Sequence, residues 1–310
     1  MRKILITGGC GFIGVNLIDY LRRNSNVEIV VLDNLSLGRK EHLEPYDVTF
    51  MNGDIRNADQ IAEAVDGVSA IVHLAADTRV VESIDNPRHN FDVNVGGTFT
   101  LLEAARKVAV DRFVFASTGG AIIGHAEPPV HEGMVPRPAS PYGASKLFGE
   151  GYLSAYFGAY GMKTVALRFS NVYGPRSYHK GSAVAQFIRN VLERKQITVF
   201  GDGSQTRDFV YVDDICRAVS LALAAPCAGG AYQLGSGIPT SVNELLELIR
   251  AVVGPEVMPK VQYMPARAGE LVHTHSRIDK ARAELGFEPQ TALSEGLRET
   301  WKWFQTRARG

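Results

Sequence analysis

The 310-residue chain has few cysteines, no net charge and no long apolar run, and each shortage narrows what it can be. Its three cysteines, Cys10, Cys216 and Cys227, are odd in number and lack C-x-x-C spacing. Neither a disulfide framework nor a zinc site is indicated, and a reducing cytoplasm is the expected compartment. With 33 basic against 33 acidic residues there is no electrostatic footprint for nucleic acid or an anionic membrane, so any phosphate must be held by a local site. No segment approaches the ~20 consecutive apolar residues that span a bilayer. The apolar run Ile4 to Ile6 stops at Thr7-Gly8-Gly9, too short for the h-region of a signal peptide. Repeats, low-complexity tracts and an obvious linker are also missing, which predicts closely packed lobes with a cleft between them and a small molecule as partner.

What the chain does have is 45% hydrophobic residues, arranged as short apolar runs alternating with helix-like stretches. Ile4 to Ile6, Ile29 to Leu32, Ala70 to Leu74, Phe113 to Ala116 and Thr164 to Phe169 read as strands buried on both faces of a parallel sheet. Phe12 to Arg23, Ala58 to Val65, Val95 to Val108 and Ala144 to Tyr160 read as the intervening helices. The fold class is therefore α/β, a Rossmann-type doubly wound parallel sheet. Beyond Ser170 the rhythm becomes mixed, with helices over Ala183 to Lys195, Asp213 to Ala224, Val242 to Val253 and Leu293 to Arg307. Residues 1–170 are expected to form a dinucleotide-binding domain, and 171–310 a smaller α/β substrate lobe partly interleaved with it.

Gly8, Gly11 and Gly14 follow the first strand and, with Phe12 and Ile13, open the first helix. Positions without side chains let the backbone turn sharply and bring a helix N-terminus against a pyrophosphate. The second strand ends at Asp33, at the spacing of a carboxylate that accepts hydrogen bonds from ribose hydroxyls and repels a 2′-phosphate. Asn34-Leu35-Ser36 follows with no adjacent arginine, Arg39 being the first cation beyond it, so NAD is preferred to NADP.

Tyr142 and Lys146 stand four apart after Pro141, a helix-initiating residue, which puts phenol and ammonium on one helical face. A free phenol, with a pKa near 10, is a poor base at neutrality. A neighbouring lysine and an oxidised nicotinamide would both favour the phenolate. Ser117-Thr118, a hydroxyl pair at a strand end, completes the constellation.

The Gly-x-x-Gly-x-x-Gly spacing and the Tyr-x-x-x-Lys motif with its upstream Ser/Thr resemble the extended short-chain dehydrogenase/reductase superfamily. The resemblance runs from Lys3 to about Trp303 and looks closest to UDP-glucose 4-epimerases and their UDP-glucuronate 4-epimerase relatives. It implies that Asp54 and Ile55 hold adenine, that Leu74, Ala75 and Ala76 line the cofactor cleft and that Asn94 belongs to it. Tyr142 would be the acid/base, Lys146 would bond the nicotinamide ribose and lower the Tyr142 pKa, and Thr118 or Ser117 would bond the sugar O4. Asn171, Arg207 and Arg267 would meet the nucleotide diphosphate and Glu270 a ribose, the family's Asp being replaced by Glu there. Related 4,6-dehydratases carry Asp-Glu directly after the catalytic threonine and decarboxylating relatives carry Glu, whereas this chain has Gly119-Gly120, which leaves epimerisation.

The expected activity is thus inversion at C4 of a UDP-hexose or UDP-hexuronate through a 4-keto sugar, by a homodimer packed through the Val95 to Val108 and Ala144 to Tyr160 helices. A uronate is favoured by Gly119 and Gly120, whose backbone N–H groups could cradle a carboxylate, and by Arg79, His179, Lys180 and Arg189. A nucleotide-sugar oxidoreductase with net NAD turnover and a non-catalytic dinucleotide sensor remain the alternatives. His273 and His275 lack an established third ligand, so no metal is expected.

Overall fold

Apolar runs too short for helices and without polar alternation can be satisfied only where both faces of a strand are covered. The structure, a computed structural model, describes residues 2–226, 228–266 and 272–307. Its first half alternates strand and helix: β1 (Lys3–Thr7), α1 (Phe12–Asn24), β2 (Glu28–Asp33), β3 (Thr49–Asn52), α2 (Ala58–Ala64), β4 (Ala70–His73), α3 (Val80–Asp85), α4 (Pro87–Asn90), a π-helical segment (Phe91–Gly97), α5 (Thr98–Lys107), β5 (Arg112–Thr118), α6 (Gly119–Ile123), α7 (Pro141–Tyr160) and β6 (Lys163–Phe169). The second half adds β7 (Asn171–Tyr173), α8 (Ala183–Leu192), β8 (Ile197–Phe200), β9 (Thr206–Tyr211), α9 (Val212–Ala224), β10 (Gly230–Leu234), β11 (Pro239–Ser241), α10 (Val242–Val253), β12 (Val261–Met264), α11 (Asp279–Leu285) and α12 (Leu293–Arg307).

Seven strands form one parallel sheet in the order β10-β6-β5-β4-β1-β2-β3. The order reverses between β1 and β4, and a ligand crevice opens at the carboxyl ends of the strands at such a point. Two apolar clusters cover the sheet, one led by Leu17, Ile18 and Val219, the other by Leu101, Leu102 and Phe113. β10 and α9 both come from beyond residue 170 and return to the large sheet. Arg112, buried on β5, fixes α9 there by donating to the Ala222 and Ala225 carbonyls at 3.2 and 2.6 Å, groups that a helix C-terminus leaves without intrahelical partners. A third cluster, with Phe187, Ile188, Leu245 and Phe304, forms the core of the small lobe around β8, β9 and three helices.

Three local differences from the sequence reading have physical causes. β3 and β10 were not among the expected strands; both lie at sheet edges, where β3 is only half-buried and β10 carries glycine and glutamine. The helix expected from Val95 begins instead as a π-helical segment at Phe91, and Gly97 comes so close to Ile55 that a Cβ would stand 2.6 Å from its side chain. α7 begins at Pro141, three residues before the expected Ala144, with Ser140 Oγ capping Gly143 N at 3.2 Å.

Under α7 lies a buried ion pair. Arg168 on β6 donates to both oxygens of Glu150 at 2.8 and 2.7 Å, and Ser117 Oγ adds a third bond to Glu150 at 2.6 Å. With side chains only 5% and 9% exposed, removing one partner strands the other charge in the core. Glu150→Ala is therefore expected to cost about 3 kcal/mol, read as a lowered urea midpoint at unchanged m-value; a midpoint that stays put would mean that Arg168 finds water.

Candidate active site

The loop between β1 and α1 is built for close backbone approach. A Cβ on Gly8, which has φ +72°, would lie 2.7 Å from Ala75 N, and one on Gly14 would lie 2.5 Å from Gly8 O. Gly11, the residue before α1, supplies no side-chain cap, so the first-turn N–H groups at Phe12 and Ile13 remain available to an anion. Asp33 holds this loop: Oδ2 accepts from Cys10 N at 2.9 Å and Oδ1 from Leu35 N at 2.8 Å. Burial raises the Asp33 pKa while these two bonds oppose the rise. Each carboxylate oxygen keeps acceptor capacity for a ribose hydroxyl. An uncapped helix start, a cradle that side chains would fill and a strand-end carboxylate together fit a dinucleotide.

Beyond Asp33, Asn34 Nδ2 bonds Asp54 Oδ2 at 2.9 Å. Arg56, which the sequence reading did not single out, grips both Asp54 oxygens at 2.9 and 2.7 Å and holds that carboxyl well below the usual range. Ile55 is buried against Gly97. Leu74, Ala75 and Ala76 lie half-buried along the β4 exit. His73 just before them is fully buried between Thr7 Oγ1 at 2.7 Å and Thr98 Oγ1 at 2.9 Å, and burial pushes its pKa down to about 3, so it is a neutral bridge rather than a proton carrier.

Asn94, in the π-helical segment, turns its amide onto protein. Its Oδ1 accepts from Asp77 N at 2.8 Å, and its Nδ2 donates to Asp77 O at 2.8 Å and Ser145 Oγ at 3.1 Å. Ser145 Oγ in turn bonds Tyr142 O at 2.8 Å. Asp77 and Ser145, both missed in the sequence reading, thus join the loop after β4 to the first turn of α7. Asp77 directly follows the Leu74-Ala75-Ala76 run, and Ser145 stands inside the Tyr-x-x-x-Lys motif, which is where the signal for them lay.

Strand alternation separates the hydroxyl pair. Ser117 faces Glu150, whereas Thr118 is turned toward the Tyr142 phenol, whose pKa it lowers. Lys146 is buried, with Nζ 2.8 Å from Ala116 O and 4.7 Å from the Phe115 ring centroid. In the protein alone, the influences on the Tyr142 pKa are burial, Asp77 and Thr118, and Lys146 is not among them. Burial, reinforced by the Asp77 carboxylate, pushes the phenol up to about 12, Thr118 opposing it, while burial pulls Lys146 down to about 7. Gly119 and Gly120 form the first turn of α6, not an open loop, and a Cβ on Gly119 would stand 2.3 Å from Gln233 Oε1.

In the small lobe, Asn171 is exposed at the start of β7. Arg207 Nη1 donates to Thr206 O at 2.9 Å and Val272 O at 3.1 Å, which places its guanidinium beside the segment after residue 271. Arg267 and Glu270 lie outside the described residues. A groove of about 1060 Å³ on this lobe, between α10 and β12, is lined by residues such as Leu246, Arg250, Val261 and Tyr263 and holds none of the residues above.

Residues 4–235 match the family described as NAD dependent epimerase/dehydratase. The chain is 40% identical to a putative UDP-glucose 4-epimerase of Methanocaldococcus jannaschii over 99% of each chain. It superposes with a TM-score of 0.94 and 36% identity on the UDP-glucose 4-epimerase of Thermotoga maritima bound to UDP-glucose, over 99% of this chain and 100% of that one. The corresponding values for the Thermus thermophilus UDP-glucose 4-epimerase in complex with NAD are 0.90 and 37%, over 98% and 99%. With more than two thirds of the chain matched and the dinucleotide cradle in place, this chain belongs to the NAD-dependent epimerase/dehydratase family, within the extended short-chain dehydrogenases/reductases.

Proposed function

We propose that this chain is an NAD-dependent UDP-sugar 4-epimerase whose preferred pair is UDP-glucose and UDP-galactose. The observation that carries the reading is the Tyr142 phenol beside Thr118, with Lys146 buried one turn on and Gly119-Gly120 where a dehydratase needs carboxylates. Tyr142 takes the proton from O4 as the carbon is oxidised and returns it when the 4-keto sugar, turned in the cleft, is reduced on its other face. Thr118 holds O4 against the phenol during both transfers. Lys146, anchored on Ala116 O, bonds the nicotinamide ribose. When bound, NAD supplies the hydride acceptor and donor and a positive ring that favours the phenolate. Arg207, with Asn171, Arg267 and Glu270, is assigned to the UDP moiety. Because the hydride returns, no net redox occurs, which sets this reading apart from an oxidoreductase.

The neutral sugar is favoured because two of the cations expected to attract a uronate are engaged elsewhere. Arg79 pairs with Asp77 at 3.4 Å and Glu82 at 2.5 Å. Arg189 donates to the carbonyls of Tyr178 and Lys180. A homodimer through α5 and α7 is supported by an exposed aromatic face in which Phe99 and Tyr152, 42% and 37% exposed, stand edge to face at 5.7 Å.

Three outcomes test the proposal. Tyr142→Phe, which keeps the ring and deletes the proton carrier, is expected to lower kcat by about 100-fold or more while calorimetric UDP affinity stays unchanged; wild-type turnover would remove Tyr142 from the chemistry. Asp77→Asn removes the anion that raises the phenol pKa but keeps the backbone groups that Asn94 holds, so the rise of kcat with pH should move to lower pH; an unmoved limb would show that Asp77 does not act on the phenol. Finally, kcat/KM for UDP-glucose should exceed that for UDP-glucuronate by about tenfold, worth ~1.4 kcal/mol in the transition state, and the reverse order would assign the cleft to uronates.

A further inference from the structure

The segment after β7 is fastened to α1 with unusual thoroughness. Arg176, at φ +67°, donates to Asn16 Oδ1 and Tyr46 Oη, both at 2.8 Å. Asn16 Nδ2 bonds Phe12 O at 2.8 Å and Pro175 O at 3.0 Å. Ser177 Oγ closes onto Gly174 O at 2.6 Å, Lys180 N onto Ser177 O at 2.8 Å, and Arg189 holds the Tyr178 and Lys180 carbonyls from α8. These bonds bring Lys180 to a fixed place: its Nζ lies 4.9 Å from the ring centroid of Phe12, the first residue of α1.

Among the described residues, no carboxylate and no hydrogen-bond acceptor is within bonding reach of the Lys180 ammonium. Burial alone pulls its pKa down to about 8. The face of Phe12 offsets part of the desolvation of the ammonium, but a ring is a weaker partner than an anion. The lysine is thus held by a braced segment, charged at neutral pH and unpaired, beside a helix whose first turn has no side-chain cap. The anion chemistry that meets both a helix start and a lysine from the other side is phosphate, because the helix supplies N–H donors and the ammonium supplies the point charge.

We propose that Lys180 is a diphosphate-binding residue, carried by the small lobe and reaching across Phe12 to the diphosphate of the dinucleotide or of the nucleotide sugar. The inference rests on the reading above for the chemistry of the two ligands, and it reassigns to phosphate a cation that the sequence alone offered to a sugar carboxylate. A lysine that only packs its stem on Phe12 would be replaced without loss by methionine, which keeps the apolar contact and lacks the charge.

The test compares full-length wild type, Lys180→Met and Lys180→Arg as holoenzymes, measuring the half-time for exchange of bound NAD against labelled NAD and the calorimetric affinity for UDP. Lys180→Met is expected to shorten the NAD half-time or weaken UDP binding by about tenfold, the size of one lost charge-assisted contact, with Lys180→Arg retaining most of the effect and melting temperatures unchanged. Loss confined to NAD assigns the residue to the cofactor diphosphate, and loss confined to UDP to the substrate diphosphate. Wild-type values for both ligands in Lys180→Met, or equal losses in the methionine and arginine variants, overturn the proposal. A wild-type chain that holds neither NAD nor UDP would instead overturn the functional reading on which it rests.

Discussion

The side-chain amide of Asn94 holds two separate parts of the site in one frame. The loop leaving β4 brings Ala75, Ala76 and Asp77 to the cleft, and α7 brings Tyr142 and Lys146. Asn94 bonds both backbone groups of Asp77 and the Ser145 hydroxyl, and Ser145 bonds the Tyr142 carbonyl. A fully buried amide must satisfy its donors and acceptor at once, so the geometry of all four residues is specified together. The π-helical turn that carries Asn94 belongs to this constraint: it widens the helix by a residue where Gly97 has to meet Ile55.

A second buried hub fixes the small lobe to the sheet. Asp208, 1% exposed on β9, accepts from Ser236 N, Ser236 Oγ, Gly237 N, Ser276 N and Ser170 Oγ. Five donors compensate the burial of one carboxylate and tie β9 to the ends of β6 and β10. A Cβ on Gly235 would lie 2.2 Å from Asp208 Oδ2, so the chain there can only be glycine if the hub is to form. Adjacent strand residues face opposite ways, so the bonds that bury Asp208 also set the direction of Arg207.

Much of this frame was legible in the sequence where one residue type has one physical use. Gly8, Gly11 and Gly14 announce a close backbone approach because no other residue permits it, and Tyr142 with Lys146 announces a helical face. Five strands could be read because they are buried on both sides and therefore continuously apolar. β10 could not, since an edge strand with Gly230 and Gln233 carries little of that signal. Arg56 on Asp54 is a local bond two residues apart and Asn94 on Asp77 a tertiary one, both among residues whose usual place is a solvated surface or a cap, and pattern cannot separate the cases. Between Ser117 and Thr118 the glycine-rich segment that follows blurs the match, and alternation says that they diverge but not which one turns toward Glu150.

The ionisable groups around the cleft share one electrostatic state. Burial drives Tyr142 up to about 12, Lys146 down to about 7, Lys180 down to about 8 and His73 down to about 3, each toward its neutral form. The Asp77 anion pushes in the same direction on Tyr142 and is itself answered by Arg79 at the rim. Before ligands bind, the cleft therefore keeps its phenol and the lysine one turn on close to their neutral forms. A diphosphate raises the pKa of a lysine beside it, and a positive ring lowers that of a phenol beside it, so bound ligands of those charges would move such groups toward their ionised forms. Acid–base competence would then be a property of the loaded cleft rather than of the protein alone.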